Sequence, residues 1–258
     1  MLLAIDVGNT ETLVGLFREA ELAGQWRLTT APRQTGDELS VVIHALLGAF
    51  GHDPGAVTGI AVSSVVPDLV PAYRRLGTRM TGREAFVIDH RAVPDLPILY
   101  HDPDTVGADR LVNAVAVIET YGKPAIVVDL GTATTFDVVN ARGEYAGGVI
   151  APGIATSANA LFQRGARLAR VELKRPERVV GRSTVESMQA GIFFGAVGGV
   201  DALVRAILRE EGMPAGAPVV ATGGFAPMVG EASETITHVD ETLTVRGIRL
   251  VWERAGRP

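Results

Sequence analysis

Two short stretches of this chain combine residue types that can hold a phosphate. One is Asp6-Val7-Gly8-Asn9-Thr10, the other Asp129-Leu130-Gly131-Thr132-Ala133-Thr134-Thr135. In each, an acid is followed two positions later by glycine and then by short polar side chains. Such a turn presents backbone N–H groups and hydroxyls around a small concavity that suits phosphate oxygens. Its glycine lets the backbone approach a ligand closely and adopt positive φ. Its carboxylate can hold a cation, directly or through water. The plain alternative is an ordinary hairpin with Asp and Gly as turn formers. Two copies in one chain weaken that alternative. Facing each other, they would grip a nucleotide polyphosphate from both sides.

Strands must carry these turns. Residues 2–5 and 125–128 are uncharged apolar runs that end at the two acids, the pattern of buried strands. Leu13, Val14, Leu16 and Phe17, and then Phe136, Val138 and Val139, read as the return strands. A third strand over 22–30 precedes a helix over 35–50, with Leu39, Val42, Ile43, Leu46 and Leu47 at helical spacing. A strand over 57–65, a helix from Pro67 to about 81 and a short strand over 86–88 follow. Residues 89–104 hold three prolines and read as a loop, and a helix spans 105–121.

The second half repeats this order. Strands are expected at about 125–130, 134–140 and 145–151, then a helix after Pro152-Gly153. A long helix starts at Ser183, where Ser183 and Glu186 have capping-box spacing. A strand at 219–220 ends in Ala221-Thr222-Gly223-Gly224, and a last strand (236–239) and a closing helix (242–253) complete the chain. The repeat predicts an α/β protein of two similar lobes, 1–122 and 123–258, with a cleft between them.

Composition narrows the function. Of 258 residues, 47% are apolar and 21% charged, which allows a sizeable core. A net charge of −5 without a basic run argues against nucleic acid as partner. The chain has no cysteine, which excludes thiol nucleophiles, zinc–cysteine sites and disulfides and fits a reducing compartment. The five histidines lack metal-ligand spacing. No secretory signal pattern opens the chain, and the charge-free stretch 188–200 reads as too short and glycine-rich to span a membrane. A cytoplasmic protein is expected. Neither a P-loop pattern nor any Gly-x-Gly occurs, so P-loop and Rossmann nucleotide sites are excluded.

Five motifs taken together resemble the type III pantothenate kinases. They are Asp6-x-Gly8-Asn9-Thr10, Gly107-Ala108-Asp109-Arg110, Asp129-x-Gly131-Thr132-x-Thr134-Thr135, Gly147-Gly148-x-Ile150-x-Pro152-Gly153 and Thr222-Gly223-Gly224, in family order across essentially the whole chain. The resemblance implies the actin-like, hexokinase-like ATPase fold with a nucleotide cleft between lobes. It also implies ATP-dependent phosphorylation of pantothenate, the first step toward coenzyme A, by a cytoplasmic homodimer needing magnesium and potassium or ammonium. It assigns ATP contacts to Asp6, Val7, Gly8, Asn9, Thr10, Glu11, Thr12, Leu13, Thr132, Gly223 and Gly224. Substrate contacts fall to Tyr100, Gly107, Ala108, Asp109, Arg110 and Thr184, the last reaching the neighbouring subunit's site. Asp6 would hold magnesium through water, and Asp129 the monovalent cation.

Residue chemistry supports part of this. Phosphoryl transfer to a hydroxyl needs a group that orients or deprotonates the nucleophile. Asp109, near a helix start where the dipole favours an anion, suits that role, and the resemblance names it as proton acceptor. Arg110 offers a fork for a carboxylate or carbonyl; its plain alternative is a surface arginine paired with an acid. Neither hairpin has a lysine, so cations must neutralise much of the phosphate charge. Gly191, Gly195 and Gly199 recur every four residues on the long helix, at a cost in propensity that close packing, within a lobe or across a dimer, would offset. Two other readings of the fold are a kinase for another hydroxylated metabolite, disfavoured by residues 107–110, and a non-catalytic nucleotide-binding regulator, disfavoured by the intact Asp6, Asp109 and Asp129.

Overall fold

The structure, a computed structural model, describes residues 1–164 and 171–256. By contacts the chain divides into two compact units. The first takes residues 1–96, 101–116 and the C-terminal stretch from Leu243; the second takes 97–100 and 117–242.

The first unit is built on a sheet of β1 (Leu2–Val7), β2 (Glu11–Arg18), β3 (Glu21–Thr29), β4 (Gly59–Ser64) and β5 (Phe86–Val87), in the order β3-β2-β1-β4-β5. β1 runs antiparallel to β2 and parallel to β4. This central strand lacks polar alternation because helices cover both faces. Leu3, Ile5 and Val7 pack with Leu39, Ile43 and Leu47 of α1 (Gly36–Ala49) and with Tyr73 and Leu76 of α2 (Val70–Thr81). α7 (Leu243–Arg254) packs on β1, β2 and β4. α1 starts at a full capping box: Thr35 Oγ1 accepts the Glu38 N–H, and Glu38 accepts the Thr35 N–H.

The second unit repeats the topology. β6 (Ala125–Leu130), β7 (Ala133–Val139), β8 (Tyr145–Pro152), β9 (Val219–Thr222) and β10 (His238–Val239) form a sheet in the order β10-β9-β6-β7-β8. β6 is antiparallel to β7 and parallel to β9, as β1 is to β2 and β4. Its core joins Ile126, Val128 and Phe136 to Phe193, Val197 and Val200 of α5 (Thr184–Glu210). The remaining helices are α3 (Ala108–Tyr121), α4 (Ile154–Arg164) and the short α6 (Ala226–Gly230).

Several elements differ from the sequence reading. The helix expected from 105 begins at Ala108, because Pro103–Thr105 closes its own one-turn 3-10 helix, capped by Asp102, and Val106 is extended. The loop over 89–104 contains a second such turn, His90–Ala92, and a bridge from Ile98 to Tyr145. The last strand is two residues rather than four, and α6 was not anticipated. The closing helix, expected with the C-terminal lobe, packs on the first unit's sheet. Its apolar face matches that sheet, a property of tertiary surfaces that chain order does not carry. α5 is continuous over 27 residues and, by length and composition, long and apolar enough to cross a membrane, contrary to the reading of 188–200 alone.

α7 meets α3 at Gly247, where an added Cβ would strike the carbonyl oxygen of Val112 and lie 2.7 Å from its carbon. Gly247→Ala should therefore destabilise the protein by about 1–3 kcal/mol. Gly48→Ala, in α1 with open space at its Cβ, should be neutral or stabilising. Urea unfolding of both variants checks this, and an equal response would refute it.

Candidate active site

The first turn hangs from the end of β1. Asp6 is half-buried there, and the Gly8 N–H donates to the Glu11 carbonyl at 3.0 Å to close the turn. Asn9, Thr10 and Glu11 are exposed, and Glu11 pairs with Arg27 at 3.2 Å. Val7, Thr12 and Leu13 are buried, with Thr12 only 3% exposed and its hydroxyl 2.9 Å from that of Thr30. Within 6–13, therefore, Asp6, Asn9, Thr10, Glu11 and the turn backbone are the groups presented to a ligand.

The second turn, at the end of β6, has Asp129 half-buried, Thr132 exposed and a Gly131 N–H to Ala133 carbonyl bond of 3.0 Å. Two glycines let other chain segments press against it. A Cβ on Gly153 would strike the Thr132 carbonyl and lie 2.6 Å from that of Gly131. Gly223, at φ +89°, would place a Cβ 2.6 Å from Asp129 Oδ1. The neighbouring Gly224 is exposed. Thr156, in the first turn of α4, donates its hydroxyl to the Thr132 carbonyl at 2.6 Å. The sequence reading missed Thr156; its signal is a hydroxyl just after the Pro-Gly that follows β8.

Asp109 sits in the first turn of α3, half-buried, and its Oδ1 accepts the Arg110 backbone N–H at 2.9 Å. Burial pushes its carboxyl above the ordinary aspartate range, while the Arg110 N–H and guanidinium charge oppose that rise without overcoming it. A side chain on Gly107 would collide with Asp109 Oδ1, so glycine leaves the carboxylate its place. Ala108 is buried. Arg110 is 6% exposed, which rules out the surface-arginine alternative.

Tyr100 belongs to the short segment that joins the second unit. The Tyr145 N–H donates to the Pro97 carbonyl at 2.8 Å, and the Leu99 N–H to the Tyr145 carbonyl at 2.9 Å. The half-buried Tyr100 ring stands 6.3 Å from the buried Tyr145 ring.

Thr184 opens α5 and is exposed. Ser183 Oγ accepts the Glu186 N–H at 3.2 Å; Glu186 Oε2 takes the Arg182 N–H at 2.7 Å, so the return bond of the expected capping box comes from one residue earlier. Thr184, Met188, Gly191, Gly195 and Gly199 line a largely apolar groove of 720 Å³. No described atom lies within 4 Å of a Cβ placed on any of the three glycines, so packing within the lobe does not explain them. Among the described residues, no group of three or more His, Asp or Glu could hold a metal. Asp6 and Asp129 supply carboxylate oxygens, donors that suit hard cations also held by phosphate and water.

The topology is that of the actin-like, hexokinase-like ATPases. The activator of 2-hydroxyisocaproyl-CoA dehydratase from Clostridium difficile, solved with bound ADPNP, matches 99% of this chain and 95% of its own at a TM-score of 0.56 and 11% identity. The inorganic polyphosphate/ATP-glucomannokinase from Arthrobacter sp. strain KM matches 98% of both chains at a TM-score of 0.51 and 13% identity. Such identities establish fold alone. Residues 2–206 match the family described as type III pantothenate kinase. Proteins of that name from Streptomyces avermitilis and Moorella thermoacetica are 50% and 46% identical to this chain. The alignments cover 98% of this chain in both cases, and 98% and 99% of the relatives. The chain belongs to the type III pantothenate kinase family.

The upward shift at Asp109 has a consequence for stability. Between its unfolded and folded pKa values the native state binds the extra proton, so its contribution to stability falls as pH rises through that window. Asp109→Asn removes this penalty while its Oδ1 can still accept the Arg110 N–H. The variant's melting temperature should equal or exceed wild type at pH 7, with the difference shrinking on acidification. Thermal unfolding at pH 7 and pH 4 measures it; a variant less stable at pH 7 contradicts the assignment.

Proposed function

We propose that this chain transfers the γ-phosphoryl group of ATP to the terminal hydroxyl of pantothenate, forming 4′-phosphopantothenate and ADP. The observation that carries the mechanism is Asp109: a half-buried carboxylate at a helix start, next to Arg110, with its basicity raised by burial. Its carboxylate accepts the hydroxyl proton as that oxygen bonds to the γ-phosphorus and the bond to the ADP oxygen breaks. kcat/KM falls as pH drops through the pKa of this group, which burial places above the ordinary aspartate range. Arg110, Gly107, Ala108 and Tyr100 are assigned to pantothenate.

The first turn, from Asp6 to Glu11, and Thr132 with Gly223 and Gly224 are assigned to ATP. Val7, Thr12 and Leu13 serve through their backbone and packing. Asp6 would hold magnesium through water and Asp129 potassium or ammonium; these ions supply neutralisation of phosphate charge, for which neither turn has a lysine or arginine. The absence of cysteine fits a cytoplasmic home.

The functional unit in this reading is a homodimer, with Thr184 completing the neighbour's pantothenate site. Only 28% of the apolar window of α5 is buried within one chain, and its glycine stripe is open. A second copy of the helix would cover both.

A panel of hydroxylated metabolites with ATP, magnesium and potassium, followed by ADP release, tests the activity; turnover of a sugar and not of pantothenate refutes it. Asp109→Asn should bind ATP normally and lose about 10²-fold or more in kcat, the size of a positioned base. Activity should collapse in sodium-only buffer, and an Asp129→Ala protein with unchanged salt dependence would remove Asp129 from cation binding. For the shared site, mixing Asp109→Asn with Thr184→Arg subunits should restore activity, because one site of the mixed dimer carries neither lesion. Verified mixed dimers without recovery would refute it.

A further inference from the structure

The first turn is held from behind by Thr30, one residue beyond β3. The Thr30 N–H donates to the Thr10 carbonyl at 2.9 Å, and the Thr30 hydroxyl donates to the Gly8 carbonyl at 2.8 Å. Two carbonyls of the turn are thus drawn to one residue. A carbonyl oxygen facing a phosphate would repel it, so where these two point matters. Because a trans peptide sets its N–H opposite its C=O, pinning the Gly8 carbonyl also turns the Asn9 N–H the other way.

Thr30 does not stand alone. Its hydroxyl lies 2.9 Å from that of Thr12. Thr12 and Thr30 are both buried. The terminal carbonyl sets the direction of the pair. Thr30 spends its proton on Gly8, so Thr12 must donate to Thr30.

We propose that the hydroxyl pair Thr12–Thr30 positions the first turn for phosphate, with Thr30 the residue that sets its carbonyls. The residues are positioning residues and touch no reacting atom. The inference rests on the reading of this turn as the ATP phosphate cradle, and its test reads nucleotide binding rather than turnover.

The experiment measures ATP affinity in magnesium by calorimetry for wild type, Thr30→Val, Thr30→Ser and Thr12→Val, with melting temperature and amide exchange at Asn9 and Thr10. Thr30→Val keeps the shape and loses the hydroxyl. It should weaken ATP binding about tenfold, the worth of one hydrogen bond, leave the KM for pantothenate unchanged, and speed exchange at Asn9. Thr30→Ser should restore ATP affinity to near wild type. Thr12→Val removes only the second hydroxyl and should loosen ATP binding by a smaller factor, in the same direction as the exchange at Asn9. A merely structural threonine would lower the melting temperature without a selective loss of ATP affinity, and that outcome overturns the proposal. If Thr30→Val does not fold, Thr12→Val decides: unchanged ATP affinity and unchanged exchange overturn the proposal. A wild-type protein that binds ATP without phosphorylating pantothenate would refute the assigned reaction and leave this inference standing on the affinities.

Discussion

Both turns hang from a strand that is covered on its two faces, and the rest of the structure follows from that constraint. β1 and β6 are the middle strands of their sheets, so their side chains must be apolar until the strand ends. Polar groups are tolerated only at that end, where Asp6 and Asp129 stand half-buried. A turn in such a place has to direct its N–H groups outward and find partners for its carbonyls inside. The first turn finds them in Thr30, the second in Thr156. The two solutions differ in residue and element, although the topology around them is the same.

Asp109 illustrates how competing effects divide at one side chain. Its position at the start of α3, its bond from the Arg110 N–H and the guanidinium beside it all favour the carboxylate. Burial favours the neutral acid and wins in direction. The buried Arg110 opposes that rise without overcoming it, and Gly107 leaves room for the carboxylate to sit there.

α5 carries two surfaces with different partners. Phe193, Val197, Val200, Val204 and Ile207 anchor one face in the core of the second unit. The opposite face offers glycines and a groove that nothing described in the chain fills. Glycine inside a helix costs stability, and no described residue from another element packs over the Cβ positions of this stripe. The same long apolar character makes the helix resemble a membrane span by composition alone, although one face of it is anchored in a protein core.

The sequence by itself determined the two strand–turn–strand hairpins, the α/β repeat and the long capped helix. These rest on short-range signals: apolar runs, an acid and a glycine at fixed spacing, a serine three residues before a glutamate. Residue type and motif also made Asp6, Asp109 and Asp129 candidates, and the family resemblance added Thr184. Only the tertiary structure decided which groups of a motif remain available. Thr12 and Arg110 read alike as ligand contacts in the chain, yet both are buried, Thr12 in a hydroxyl pair and Arg110 beside Asp109. Thr30 and Thr156 carried no motif, because what they do depends on carbonyls 22 and 24 positions away. α7 joins the first unit for the same reason. Local spacing sets which backbone conformations a segment prefers, whereas burial and long-range hydrogen bonds are set by surfaces that meet only once the chain has folded.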